Sequence, residues 1–266
     1  MVKIQVGKQS IYYDGVLVSN LKIAKKYVKK DFDMLIVVYG IEGGAKSTLA
    51  QQIGAYLDPT LSLDRIVFNA EEFRDAVIKA KPEECIIFDE AHGSLSSRGA
   101  MSKINRMLVS LLAEIRQKRL YVLIVLPSLW ELDRYVAVWR SRCAIEVYTK
   151  GFTRGFFKFY SSEKKKSLYM KGKKFYENYV PPDFYGRFCK GFYVDDSAYR
   201  AKKTKSMMES FEKKDPDNIF KKQRDVLISY LVNNKFPHRE IGEIIGLSRV
   251  AITRITGDVK KQGDGV

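Results

Sequence analysis

The chain has only three cysteines, Cys85, Cys143 and Cys189, spaced too widely for a disulfide framework or a zinc pattern. They read as reduced thiols of a cytoplasmic protein. Long apolar runs are missing as well. The longest, Tyr121 to Leu126, falls far short of a membrane span, and the first residues lack the pattern of a signal peptide. There is no internal repeat. Acidic residues are few beside basic ones, 31 against 47, and the net charge of +16 points to a polyanionic partner, nucleic acid before membrane. The excess is local: residues 150–214 hold 17 basic and only 7 acidic side chains.

What is present excludes general disorder. Apolar residues make up 45% and aromatics 12% of 266 residues, enough for one sizeable α/β core and a small additional module. The chain is organised around MLIVVYGIEGGAKST, Met34 to Thr48. A β-branched apolar run leads into a glycine-rich turn, Lys46-Ser47-Thr48 and a helical pattern, the parts of a P-loop. Backbone N–H groups at a helix start, reached without side-chain obstruction, surround a phosphate, and a lysine adds a point charge. Gly40, Glu42, Gly43, Gly44, Ala45, Lys46, Ser47 and Thr48 are therefore the expected nucleotide-binding residues. Ala45 stands where the motif has glycine. A turn that binds nothing is the alternative.

The second decisive stretch is ECIIFDE, Glu84 to Glu90. Its apolar residues suit a parallel strand buried on both faces, and Asp89-Glu90 follow at the carboxyl end, where open α/β sheets bind ligands. An unpaired Asp-Glu on a buried strand is costly, which favours a site. The pattern resembles a Walker B motif. That resemblance implies a Mg²⁺ held by Ser47 and Asp89 and an attacking water polarised by Glu90. The letters DEAH, Asp89 to His92, also suit a helicase, but the chain leaves little room for a second such domain. A helix follows, with Ile104, Met107, Leu108, Leu111, Leu112 and Ile115 on one buried stripe. Then come a third buried strand ended by Pro127-Ser128, a helical stretch from Leu129 to Trp139, and Arg140-Ser-Arg142 before another strand.

With the P-loop, the DE strand, the long helix ending at Arg119, Leu132-Asp133 and Arg140/Arg142, residues 33–149 resemble the HerA/FtsK superfamily. That group includes DNA pumps, viral genome-packaging ATPases and zonular occludens toxin-like phage ATPases. The resemblance implies a RecA-like core with a mostly parallel sheet, ATP and Mg²⁺ as cofactors, and a homo-oligomer, a hexameric ring. It also implies an arginine supplied in trans to the transition state, with Arg98 and Arg140 or Arg142 as candidates, beside Lys46 and Glu90 as catalytic groups. Two departures bear on turnover more than on binding. Ala45 replaces glycine, and only Ser128 is available as the polar sensor after the third strand.

Residues 151–200 interleave 15 Phe or Tyr with Lys and Arg. Alternation predicts strands that extend or flank the sheet, in a basic aromatic β-rich extension of the core. Basic residues among aromatics can follow a phosphate backbone and stack bases, or the rings can be the core and the lysines its solvated face. Carboxylates here lack the grouping that a two-metal nuclease needs.

Near the C-terminus, taking His238 as the first residue of the helix-turn-helix pattern puts Ile241, Ile245, Leu247, Ile252 and Ile255 at its apolar positions. Gly242 falls where the helices approach and Gly246 at the turn. In that pattern the last helix enters the major groove of double-stranded DNA, with Ser248, Arg249, Thr253 and Arg254 toward bases or phosphates. A protein-docking module is the alternative. The expected organisation is an ATPase core over 1–150 with an N-terminal β-ribbon, the extension and linker over 151–214, and an all-α DNA-binding domain over 215–266. A DNA translocase or genome-packaging ATPase is the leading expectation; a nucleotide-switched DNA-binding protein is its rival.

Overall fold

The structure is a computed structural model that describes residues 1–7, 9–89, 98–173, 180–213, 216–248, 250–253 and 255–256. It is α/β and about half helical, in two compact units, Met1–Met207 and Met208–Val266.

The chain opens with a hairpin of β1 (Val2–Val6) and β2 (Gln9–Tyr13). Helix α1 (Gly15–Val28) then starts earlier than its basic residues suggest. The sequence suggests Asn20 as the cap of a short basic helix from Leu21 to Lys30; instead the Asp14 carboxylate accepts from the N–H groups of Val16 and Leu17, and Asn20 lies inside the helix and donates to Val16 O. Strand β3 (Met34–Gly40) leads to α2 (Lys46–Leu57), β4 (Ile66–Val67), α3 (Ala70–Lys79) and β5 (Cys85–Asp89). Next come α4 (Arg98–Gln117), β6 (Tyr121–Leu126), β7 (Cys143–Lys150), β8 (Thr153–Tyr160), α5 (Ser162–Gly172), β9 (Phe184–Arg187) and α6 (Asp196–Lys213).

One seven-stranded sheet runs in the order β4-β5-β6-β3-β7-β8-β9. The first five are parallel, and β8 and β9 join by antiparallel pairing. Both faces are covered, which is why β3, β5 and β6 are apolar without alternation. Ile36, Val38, Ile87 and Val125 pack with α1 and α2. Val37, Phe88 and Ile124 face α3, α4 and α5, and the α4 stripe Ile104, Leu108, Leu112 and Ile115 is buried there.

Residues 151–200 differ from the all-strand expectation. Two strands do extend the sheet, but SEKKKSLYM folds as α5, placing Lys165, Leu168 and Tyr169 on one buried face. Lys165 Nζ donates to the carbonyl oxygens of Val138 and Ser141 and to Ser141 Oγ, satisfying the end of a π-helix at Tyr135–Arg140. Burial pushes its pKa down to about 8. Phe157, Phe159, Tyr160 and Tyr169 are buried, so much of the aromatic content of this segment is core.

Asp58, just after α2, ties that helix to β5. Its carboxylate accepts from the N–H groups of Thr60 (2.8 Å) and Cys85 (2.9 Å) and pairs with buried Arg65. Burial alone raises an Asp pKa. Here the hydrogen bonds from Thr60 and Cys85 and the Arg65 charge outweigh it and hold the carboxyl below its ordinary value.

In the second unit, α7 (Pro216–Asn233) and α8 (His238–Ile245) pack with helical residues 250–253 around Ile228, Ile241 and Ile252. The chain turns at Gly246, whose φ is 73°. A Cβ on Gly242 would lie 2.5 Å from Leu247 O, so this backbone approach requires glycine. Among the described residues, no helix is long and apolar enough to cross a membrane.

Asp58→Ala strands the Cys85 N–H and leaves Arg65 with the more distant Glu84 carboxylate at 3.6 Å, and should lower unfolding free energy by about 2 kcal/mol in denaturant titrations. Because the folded pKa is depressed, the Asp58 contribution is complete near neutrality and is lost as pH falls below about 4. Asp58→Asn should flatten that part of the acid limb.

Candidate functional site

The site forms at the carboxyl end of the parallel strands. β3 ends at Gly40, where glycine is required: a Cβ there would lie 2.1 Å from Val147 O on β7, and φ is 137°. Gly43 (φ 71°) and Ala45 (φ 75°) then carry the chain through left-handed turns into α2. Ala45 is the residue before the helix and has no side-chain capping bond, so the first N–H groups of α2 open into the loop.

Lys46 follows at once. It is 8% exposed, and its Nζ donates to Gly40 O (2.8 Å) and Ile41 O (2.9 Å), folded over the loop it belongs to. Burial lowers its pKa, against the attraction of Asp89 and Glu42.

Register brings Asp89 to the same end. It pairs with Val125 of β6, which pairs in turn with Val38 of β3, so Asp89 stands two strand spacings, about 10 Å, from the P-loop strand. Its carboxylate is 2% exposed. The Tyr199 hydroxyl donates to Asp89 Oδ2, and Lys203 Nζ lies 3.5 Å from Oδ1. Ser47, in the first turn of α2, lines the same cavity as Asp89. Ser47 and Asp89, expected as a metal pair, are thus brought to one site, and a hydroxyl and a carboxylate are oxygen ligands of the kind a hard cation such as Mg²⁺ takes.

Between the loop and the segment that follows β9 lies a cavity of about 610 Å³, a size suited to a nucleotide. Gly43, Thr48 and Asp89 line it, and so do Arg154, Lys190 and Arg200. These arginines and lysine come from the basic aromatic segment, and the sequence held no local sign of this placement. Arg154 arrives because β8 runs antiparallel beside β7 and starts at the carboxyl end of the sheet. Residues 189–194 are fastened to α2: Gln52 Nε2 donates to Cys189 O (2.9 Å) and Gly191 O (3.0 Å), and Gln51 accepts from the Tyr193 N–H.

Other expected residues are placed elsewhere. Arg140 is 16% exposed on its side chain and pairs with buried Asp33 at 2.7 Å, just before β3 and so at the opposite end of the sheet from Lys46. It does not join Lys46 and Asp89 within the chain, and action on a neighbouring copy would require that pair to open. Ser128, expected as the polar sensor, accepts from the Trp130 N–H and caps a short turn. The polar group that faces Lys46 from this region is Glu131, its pKa raised by burial against the lysine's attraction. One of its oxygens, Oε2, is buried and without a hydrogen-bond partner among the described residues. In the second unit Ser248 and Thr253 are exposed, the Ser248 hydroxyl accepting from the Ala251 N–H. Glu90, His92, Arg249, Arg254 and the side chain of Arg98 lie outside the described residues.

The chain matches no family model and no curated protein sequence, so the chemistry of the site is argued from its own geometry.

Ala45 tests that geometry. A left-handed alanine costs about 1–2 kcal/mol that glycine avoids. Ala45→Gly should raise unfolding free energy by about 0.5–1 kcal/mol in denaturant titrations, after the greater unfolded-state freedom of glycine is deducted.

Proposed function

We propose that this chain is an ATP-dependent DNA motor, a P-loop ATPase with a RecA-like core that moves or packages double-stranded DNA as a homo-oligomeric ring. The observation that carries the reading is the convergence of Lys46, Ser47 and Asp89 beside a nucleotide-sized cavity at the carboxyl end of a parallel sheet. The strand order is compatible with a RecA-like core, because β6 separates the P-loop strand from the strand that ends in Asp89.

In this reading the N–H groups at the start of α2 and the Lys46 ammonium hold the phosphates of ATP. Ser47 and Asp89 would hold Mg²⁺, which supplies charge neutralisation on the phosphate oxygens. Glu90 would orient the attacking water. Arg154, Lys190 and Arg200 add positive charge around the cavity, so part of the basic excess serves the nucleotide. The helices of the second unit support a helix-turn-helix: their buried residues Ile241 and Ile252 occupy pattern positions, and Ser248 and Thr253 lie on its exposed surface.

A second reading is a nucleotide-switched DNA-binding protein without translocation. The covering of Asp89 by Tyr199 and Lys203 favours it, since a closed site slows turnover.

The deciding measurement is ATP hydrolysis with and without duplex DNA, with oligomeric state determined in the same samples. The motor predicts a ring whose hydrolysis rises with DNA and is abolished by Glu90→Gln. Lys46→Ala should weaken ATP binding about 10- to 100-fold, the loss of a charge-assisted hydrogen bond. A monomer whose hydrolysis ignores DNA would sink the motor. Site-specific footprinting that depends on nucleotide and survives Glu90→Gln would support the switch.

A further inference from the structure

We propose that α6 closes the metal position of this site from within, with Tyr199 and Lys203 acting as a clasp that Mg-nucleotide must open. The proposal rests on the nucleotide-site reading above and adds its regulation.

Asp89 is a buried carboxylate, and a buried charge requires partners. Both of its oxygens are engaged by α6. Tyr199 donates to one, and Lys203, one helical turn later, stands 3.5 Å from the other and 3.3 Å from the Tyr199 hydroxyl. Ser47, the second metal-holding candidate, lines the same cavity as Asp89 and Lys203. The clasp thus engages the carboxylate that would hold the cation and places an ammonium beside it.

It is also built to hold. The Tyr199 ring is 3% exposed, 4.7 Å from the ring of Phe192 and 5.7 Å from that of Phe68. Residues 189–194, which lead into α6, are fastened to the P-loop helix through Gln51 and Gln52.

A closed site binds with an affinity reduced by the fraction of molecules that are open. Mg-nucleotide must displace the phenol and the ammonium, whereas nucleotide without metal has no need of Asp89. The clasp therefore makes binding penalised when metal accompanies the nucleotide. It also couples arrival of Mg-nucleotide to release of the first turns of α6.

The test uses the full chain and a non-hydrolysable ATP analogue, titrated calorimetrically with Mg²⁺ or with a chelator. Tyr199→Phe keeps the ring and removes the hydroxyl; Lys203→Met keeps the stem and removes the charge. Each should tighten Mg-analogue binding by about 10-fold and leave metal-free binding within about 2-fold. In the wild-type chain the analogue with Mg²⁺, and not without it, should speed hydrogen exchange at the α6 amides near Tyr199. Equal or weaker Mg-analogue binding by the variants would overturn the clasp, with Lys203→Met deciding if Tyr199→Phe lowers the melting temperature. Binding by the wild type that Lys46→Ala removes, with no gain in either variant, overturns the clasp alone. No binding by any chain overturns the nucleotide reading along with it.

Discussion

Asp89 is the constraint on which the site depends. A carboxylate at the end of a strand buried on both faces loses its water and keeps its charge unless something answers it. In this chain the answer comes from α6, more than a hundred residues later, as a phenol and an ammonium. The requirement explains why the segment after β9 folds back across the P-loop helix and why the rings of Phe68 and Phe192 close around Tyr199. In the proposed reading it also gives the site a dual character: groups that would hold a metal-bound nucleotide, and a built-in substitute for the metal.

The sheet supplies the second condition. Inserting β6 between β3 and β5 separates the lysine-bearing loop from the carboxylate by about 10 Å, leaving room between them without breaking the hydrogen-bonded ladder. Asp58 maintains that spacing from the other side, since one carboxylate joins the end of α2 to the start of β5. The antiparallel strands β8 and β9 then return the basic segment to the same edge of the structure. Cationic side chains that composition alone assigns to a polyanion in solution thereby come to surround a cavity at the P-loop.

Much of this was legible from local pattern. The uninterrupted apolar runs of β3, β5 and β6 announce a parallel sheet covered on both faces, and the α4 stripe announces the helix that covers one of them. The glycine turn and Lys46 mark the phosphate end. Less was legible where side chains act over long separations. Asp14 takes the capping role that Asn20 was expected to play, because which of two polar residues caps a helix depends on where the preceding hairpin ends. Residues 151–200 read as a β-rich extension, yet SEKKKSLYM folds as α5, where Lys165 finds carbonyl partners at the end of the π-helix. Arg140, a reasonable arginine for a neighbouring site, is engaged by Asp33.

The sequence by itself determined the α/β class and the place of the glycine-rich turn before α2, because both follow from short-range rules: hydrophobic period, and glycine where φ is positive. Only the tertiary structure decided which groups share the site. Tyr199, Lys203, Arg154 and Glu131 carry no motif. They meet Lys46 and Asp89 because strand order, antiparallel return and the need to partner a buried charge bring them there, and those are properties of the packed chain rather than of any stretch of it.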